Sequence, residues 1–179
     1  MTELDEMFVD AHKVAEQEEK ENQFRGNILS NFVKIEQIMM MVIDYYNSKK
    51  NSDSRKPNER RISSTGWKLS ELKKIIKDKD FKNCGFDFSS IMDRIDECKK
   101  LRNQLAHNIT YPGSSHENAK EGKGNITMIF FEKDKWQRVD FTKKEQEGLE
   151  QEVYSTYRNM REMYLAIVQV YGDHLTLAI

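Results

Sequence analysis

The segment Arg102-Asn103-Gln104-Leu105-Ala106-His107 contains the residues of this 179-residue chain that best suit phosphate chemistry. Arginine is a permanent cation whose planar fork matches phosphate oxygens, and histidine moves protons near neutral pH. On a helix, Asn103 and His107 are four residues apart and share a face, whereas Arg102 lies about 140° around the axis from His107. Either the long arginine side chain bends round, or it meets a histidine from a second copy of the chain.

A helix must position these residues, and the preceding sequence predicts one. Ser89 or Ser90 is expected to begin it, and the apolar stripe that follows consists of Ile91, Ile95, Cys98, Leu101 or Arg102, and Leu105. Arg102 therefore lies on or beside the buried edge, where an arginine needs an anionic partner or a wet cleft. A structural role stays open, because Arg102 could pair with Asp44 or Asp96, and a histidine suits the carbonyl end of a helix.

The chain before this helix also predicts helices. Residues 1–22 have the pattern of an acidic helical extension, and residues 23–47 carry an apolar stripe at steps of three and four residues. Gly26 is a candidate kink or break between the two parts. Residues 48–64 are nearly devoid of apolar side chains and predict a mobile basic loop. Ser64 or Thr65 is expected to cap a short helix that runs through about Lys77.

Residues 125–141 change to a strand-like pattern. Apolar side chains alternate from Ile126, and the turn-like Lys133-Asp134-Lys135 then predicts a small β-hairpin. Thr142 and Glu145 have the spacing of a capping box, which predicts the start of a long final helix. The expected fold is therefore all-α in the main, a single domain over residues 1–179 with about four main helices and a hairpin inserted before the last.

The charge distribution limits the kinds of partner. The formal net charge is −1 and charged residues make up 33% of the chain, so no global positive field would attract nucleic acid. Charge is polarised instead, because residues 1–22 carry eight acidic and two basic residues, and residues 48–82 carry twelve basic and five acidic ones. This asymmetry indicates either a local anion-binding face or two solvated surfaces of opposite sign.

Several kinds of site are not expected. Cys84 and Cys98 are too few and too far apart for a metal or redox motif, and they suggest reduced core thiols in a cytoplasmic protein. The sequence contains neither a phosphate-binding glycine loop nor a metal-ligand set, so no metal and no cofactor is predicted. The first residues lack an apolar signal core, and no run approaches the length of a membrane helix, so no membrane partner is expected.

The segment Leu101-Arg102-Asn103-Gln104-Leu105-Ala106-His107-Asn108 resembles the signature of the HEPN superfamily. That signature is an arginine, four to six residues, and a histidine, commonly with a polar residue after the arginine. The layout is similar as well, with a long bundle helix, a basic loop, the motif near the end of a later helix, and a long closing helix. Some toxin members carry a tyrosine just before the histidine, a place taken here by Ala106.

The resemblance implies a metal-independent endoribonuclease in which two copies of the motif meet at the cleft of a homodimer. Arg102 would hold the scissile phosphate and stabilise charge in the transition state. His107 would act as general acid or base, and Asn103 would orient the histidine or the phosphate. The expected product is a 2′,3′-cyclic phosphate.

Further RNA contacts are expected from Arg55, Arg60 and Arg61 in the basic loop and from Tyr111, which could stack on a base. A solubilising loop and a packing role for Tyr111 are the competing interpretations. The leading function is an RNA-cleaving nuclease of toxin or defence type, for which a neutralising antitoxin protein would be a further partner. Two alternatives remain: a noncatalytic HEPN module that binds a nucleotide, RNA or a partner protein, and a helical interaction domain with a chance motif.

Overall fold

The structure is a computed structural model, and it describes residues 3–50, 64–81, 85–107, 126–132 and 135–172. The described chain is mainly α-helical and forms a bundle of four helices. These are α1 (Glu3–Lys49), α2 (Thr65–Ile75), α3 (Phe88–His107) and α4 (Lys143–Val170), with a 3₁₀ turn at Lys79–Phe81. The antiparallel hairpin of β1 (Ile126–Glu132) and β2 (Lys135–Phe141) precedes the last helix, so the predicted fold class is confirmed.

Helix α1 is longer than the sequence pattern predicted. It runs without a break from Glu3 through Gly26 to Lys49, so the acidic extension and the first bundle helix are one element. A glycine inside a helix costs about 1 kcal/mol relative to alanine, which the buried apolar side chains on either side can offset. The predicted loop over 48–64 was also wrong at its start, because residues 48 and 49 belong to the helix; residues 51–63 lie outside the described part.

The start of α2 follows from its capping residue. Ser64 has extended backbone angles, and its hydroxyl oxygen accepts a hydrogen bond of 3.2 Å from the backbone N–H of Trp67, so the predicted cap is confirmed. The hydroxyl of Thr65 donates to the carboxylate of Glu36 on α1, and Nζ of the buried Lys68 lies 3.6 Å from Oε2 of the same carboxylate. Glu36 therefore ties the first turn of α2 to α1.

Helix α3, which carries the motif, begins earlier than predicted. Its first residue is Phe88, and Oδ1 of Asp87 accepts a hydrogen bond of 3.1 Å from the backbone N–H of Ser90. Asp87 thus satisfies one of the N–H groups that have no partner inside the helix. The expectation that Ser89 or Ser90 begins the helix was wrong because the aspartate before them is the cap.

The chain divides into two compact units. The hairpin unit contains Met1–Ser30 and Lys100–Val153, and the bundle unit contains Asn31–Lys99 and Tyr154–Ile179. In the hairpin unit, Ile126 on β1 pairs with Phe141 on β2, whose ring lies 6.1 Å from that of Phe24 on α1. Among the residues of this unit whose burial the structure describes, the buried apolar side chains are Phe24, Ile28, Leu105, Ile126, Met128 and Val153.

Two threonines of the hairpin unit make hydrogen bonds that bear on the predictions. Thr127 is buried between Ile126 and Met128, and its hydroxyl donates to Asp140 on the paired strand. Simple alternation between buried and exposed positions is therefore wrong at this point of β1. The backbone N–H of Thr142 donates to Oε2 of Glu145 at 2.7 Å, and the backbone N–H of Glu145 donates to the Thr142 hydroxyl oxygen at 3.3 Å. The predicted capping box at the start of α4 is confirmed.

The core of the bundle unit comes from the apolar stripes of α1, α2, α3 and α4. Its fully buried members include Phe32, Ile35, Met39, Leu72, Ile95, Met160, Met163 and Ile167. The thiol of Cys98 on α3 donates to the hydroxyl oxygen of Thr156 on α4 over 3.6 Å, and both side chains are buried. Helix α4 ends at Val170, and Gly172 adopts a φ of 74°, which is a common way for a helix to stop.

Candidate functional site

The motif occupies the last two turns of α3, in the hairpin unit. Leu105 is fully buried and anchors this part of the helix in the core, whereas Gln104 and Ala106 are exposed. Arg102 and Asn103 are both half-buried, which matches the expectation that the arginine lies at the edge of the apolar stripe. His107 is the last residue of α3, so the segment from Arg102 to His107 is helical throughout.

A side-chain hydrogen bond joins the first two residues of the motif. Nη1 of Arg102 donates to Oδ1 of Asn103 over 2.9 Å. Neighbouring residues on a helix point about 100° apart, so the guanidinium has bent around the axis toward the face on which Asn103 lies. His107 occupies the position one turn further along that face. Arg102 and His107 lie about 140° apart around the helix axis, and the bent arginine side chain reduces this separation within one chain.

Asp96, one of the acidic residues named as a possible structural partner of Arg102, accepts a hydrogen bond of 2.7 Å from Nζ of Lys73 on α2. The residues that the structure describes contain no group of three or more histidine, cysteine, aspartate or glutamate side chains arranged to hold a metal ion. The chemistry that the described motif offers is a fixed cation beside an amide, at the end of a helix.

The other four predicted RNA contacts lie outside the described residues; they are Arg55, Arg60, Arg61 and Tyr111. The structure thus brings Arg102 and Asn103 together, gives His107 its place on α3, and leaves the remaining four as predictions from the sequence.

A charged cluster that the sequence pattern did not predict lies at the end of α1, in the bundle unit. Nζ of Lys50 lies 2.7 Å from Oδ2 of Asp80 and 3.0 Å from Oδ2 of Asp78. The hydrogen bonds to Asp80 and Asp78 raise the pKa of Lys50. The same ammonium lies 5.8 Å from the ring centre of Tyr46 and 5.9 Å from that of Tyr171. Because Lys50 and both carboxylates are paired with one another, we assign the cluster a structural role.

A second unpredicted cluster lies on the surface of the bundle unit and combines tyrosines with basic residues. Tyr154 on α4 is exposed, and its ring lies 6.2 Å from that of Tyr157. Lys34 on α1 and Arg161 on α4 both lie close to the Tyr157 ring. Tyr157 itself is half-buried. The sequence signal that could have revealed the cluster is Tyr154-x-x-Tyr157-Arg158-x-x-Arg161, which places four such side chains on one side of a helix.

Comparisons of the chain with protein-family profiles, with curated proteins and with solved structures give no match. The resemblance to the HEPN superfamily accordingly rests on the motif and on its position at the end of a helix in a mainly helical fold. None of the described helices contains a stretch that is long and apolar enough to cross a membrane.

Proposed function

We propose that this protein is a metal-independent endoribonuclease of toxin or defence type, with a HEPN-like site at the end of α3. Arg102 holds the scissile phosphate and stabilises the charge that develops on it in the transition state. His107 transfers a proton to or from a reacting oxygen. Asn103 orients the arginine or the histidine through its amide.

The proposed reaction is an internal transesterification of RNA. A base removes the proton of a ribose 2′-hydroxyl, and the 2′-oxygen attacks the adjacent phosphorus. The bond from phosphorus to the 5′-oxygen of the next nucleotide breaks, and that oxygen takes up a proton. The products are a 2′,3′-cyclic phosphate and a 5′-hydroxyl. The step needs a base, an acid and a fixed cation at the phosphate.

The observation that supports this proposal is the hydrogen bond from Arg102 to Asn103. It turns the guanidinium toward the helix face that contains residue 107, which is where a phosphate would have to lie to meet both groups.

A homodimer is part of the proposal. One histidine cannot act as base and acid in the same step, so a symmetric pair of motifs would supply the second proton-transfer group. A two-fold axis presents the same patch from both chains, which makes such a cleft self-complementary. Light scattering at micromolar concentration is expected to give twice the mass of the chain; a monomer would contradict this part of the proposal.

The decisive test is cleavage of a labelled RNA in EDTA. Wild type is expected to cleave, whereas Arg102→Ala and His107→Ala are each expected to lose about 10²–10³-fold in rate or more. Lys100→Ala is the matched control, since it removes an exposed positive charge from the same helix outside the motif. Melting temperatures of the variants would show whether the fold is intact.

The outcome separates the candidate functions. Cleavage that survives both substitutions, or that requires added Mg²⁺, would contradict the proposed site. Binding of RNA or a nucleotide that depends on Arg102, with no cleavage in wild type, would instead favour the noncatalytic HEPN module. If neither substitution changes RNA binding or cleavage, the remaining candidate is a helical interaction domain with a chance motif.

A further inference from the structure

We propose that the surface formed by Lys34 on α1 and by Tyr154, Tyr157, Arg158 and Arg161 on α4 binds single-stranded RNA by base stacking and phosphate contacts. We name this surface the tyrosine platform. The inference rests on the proposed function, because it names RNA as the ligand, and it specifies that the RNA is single-stranded at this surface.

The exposed ring of Tyr154 is the first observation. Its side chain is 45% exposed, although a tyrosine on a bundle helix would normally bury most of its ring. The ring centre of the half-buried Tyr157 lies 6.2 Å from that of Tyr154, and the two ring planes are tilted by 45°, so the rings are direct neighbours at this surface. Every nucleobase has a flat π-face, and an exposed aromatic ring can stack on it once the base is unpaired.

The convergence of cations on this aromatic surface is the second observation. Nζ of Lys34 lies 5.6 Å from the centre of the Tyr157 ring, and the guanidinium carbon of Arg161 lies 6.0 Å from it. The two charges come from different helices and repel each other. Within the described part of the chain neither is paired with a carboxylate; Nζ of Lys34 donates only to the amide oxygen of Asn31, over 3.2 Å.

The remaining side chains of this face strengthen the charge argument. Arg158 is exposed and lies one turn from Tyr154 on α4, so it adds a third cation. Two acidic residues of α4 lie close to these three cations: Glu162, which is exposed and follows Arg161, and Glu150, one turn before Tyr154 on the same side of the helix. The platform keeps an excess of positive charge, which is complementary to phosphate.

Single-stranded RNA fits this surface better than a duplex. In a double helix the bases are stacked on each other and their faces are closed, so an exposed tyrosine ring has nothing to stack on. Unpaired bases can be splayed out, while the flanking cations contact the sugar–phosphate backbone. The platform therefore selects the unpaired regions of an RNA.

The experiment measures binding of a fluorescent single-stranded ten-nucleotide RNA by anisotropy, in a His107→Ala background that prevents cleavage. Tyr154→Ala is expected to weaken binding roughly tenfold, the size of the loss of one base–aromatic stack. Tyr154→Phe should restore it, because the ring is kept. Arg161→Gln and Lys34→Gln should each reduce the slope of log Kd against log[salt] by about 0.7. Lys143→Gln, which removes an exposed charge on the same helix α4, is the matched control and should change neither quantity by as much.

Several outcomes would overturn the inference. Unchanged affinity of Tyr154→Ala, with wild-type cleavage intact, would remove the platform and leave the proposed function standing. If Tyr154→Ala loses as much affinity for an RNA duplex of the same length, the proposal that the surface binds single-stranded RNA would be contradicted. Dissociation of a dimer by Tyr154→Ala at unchanged RNA affinity would show that a second copy covers this face. Absence of both RNA binding and cleavage in wild type would contradict the proposed function and the platform together.

Discussion

The phenolic hydroxyl of Tyr46 donates a hydrogen bond of 2.5 Å to Oδ2 of Asp78, which lies 32 residues further along the chain. This bond joins the last turns of α1 to the turn that follows α2. Burial and the bond to Asp78 raise the pKa of Tyr46 to about 12. The hydrogen bond from Tyr46, followed by those from the backbone of Asp80 and from Lys50, lowers the pKa of Asp78 to about 2.

The first prediction concerns acid stability. Because the pKa of Asp78 falls from 3.8 to about 2 on folding, its contribution to stability is complete above about pH 4 and is lost as the pH falls toward 2. Asp78→Asn should therefore lower the urea midpoint at pH 7 and should differ little from wild type near pH 2. Asp93→Asn, at an exposed position on α3, is the control and should leave the midpoint at pH 7 nearly unchanged.

The alkaline side of the same bond gives a matched check. The raised pKa of Tyr46 means that its contribution is complete below pH 10 and is lost as the pH rises through about 12. Tyr46→Phe should remove this alkaline loss. A midpoint for Asp78→Asn that runs parallel to wild type from pH 7 to pH 2 would contradict the role assigned to the bond.

The second prediction concerns Asn103. Asn103→Ala should lower RNA cleavage by about 10- to 100-fold, since a hydrogen bond to a charged group is lost while the cation itself remains. Asn103→Asp should lower it further, because a carboxylate would pair with Arg102 and neutralise the charge meant for phosphate. Single-turnover rates in EDTA measure both effects. A rate for Asn103→Ala as low as that of Arg102→Ala would assign Asn103 a direct part in the reaction.

The third prediction concerns the basic segment 48–64. Replacement of Arg55, Arg60 and Arg61 by glutamine should weaken RNA binding and reduce the salt slope by up to about two, since each single-strand phosphate contact contributes about 0.7. The control removes three exposed charges elsewhere, as Lys135→Gln, Lys143→Gln and Lys144→Gln combined. Equal slopes for the two triple variants would assign the arginines to a solubilising surface.

The fourth prediction concerns the pair formed by the half-buried Glu36 and the buried Lys68. Glu36→Gln should destabilise the protein by about 3 kcal/mol, because it leaves the Lys68 ammonium, which is only 10% exposed, without its counter-charge. Changing both residues to methionine should cost less than the sum of the two single methionine substitutions. Urea unfolding of the four proteins of this cycle measures the coupling. Additive losses would show that the contact across 3.6 Å contributes nothing.

Local sequence patterns predicted the elements whose causes are local. The apolar stripe of α1 repeats at steps of three and four residues, and the caps at Ser64 and Thr142 act within one helical turn, so both can be recognised from residues close together in the sequence. The start of α3 was predicted wrongly because Ser89 and Ser90 are also good capping residues, and the capping residue is Asp87, which precedes them. The continuity of α1 through Gly26 was not predicted, because a glycine inside a helical pattern is also a signal for a kink or a break.

Contacts between distant residues could not be predicted in this way. The bond from Tyr46 to Asp78 and the burial of Thr127 against Asp140 depend on which elements become neighbours, and periodicity carries no such information. The same holds for the tyrosine platform, where the position of Lys34 depends on the packing of α1 against α4. At the motif, the sequence supplied the residue types and the spacing, and the structure added the bent arginine.

The hydrogen bond between the buried Cys98 and Thr156 has a consequence for the kinetics of the core. A thiol reagent can reach Cys98, which is 2% exposed, only after α3 and α4 separate locally in the bundle unit. In a Cys84→Ser background, the labelling rate at low reagent concentration would measure the equilibrium fraction of molecules in which this part of the core is open. Comparing that rate with and without RNA would reveal whether a bound ligand lowers this open fraction.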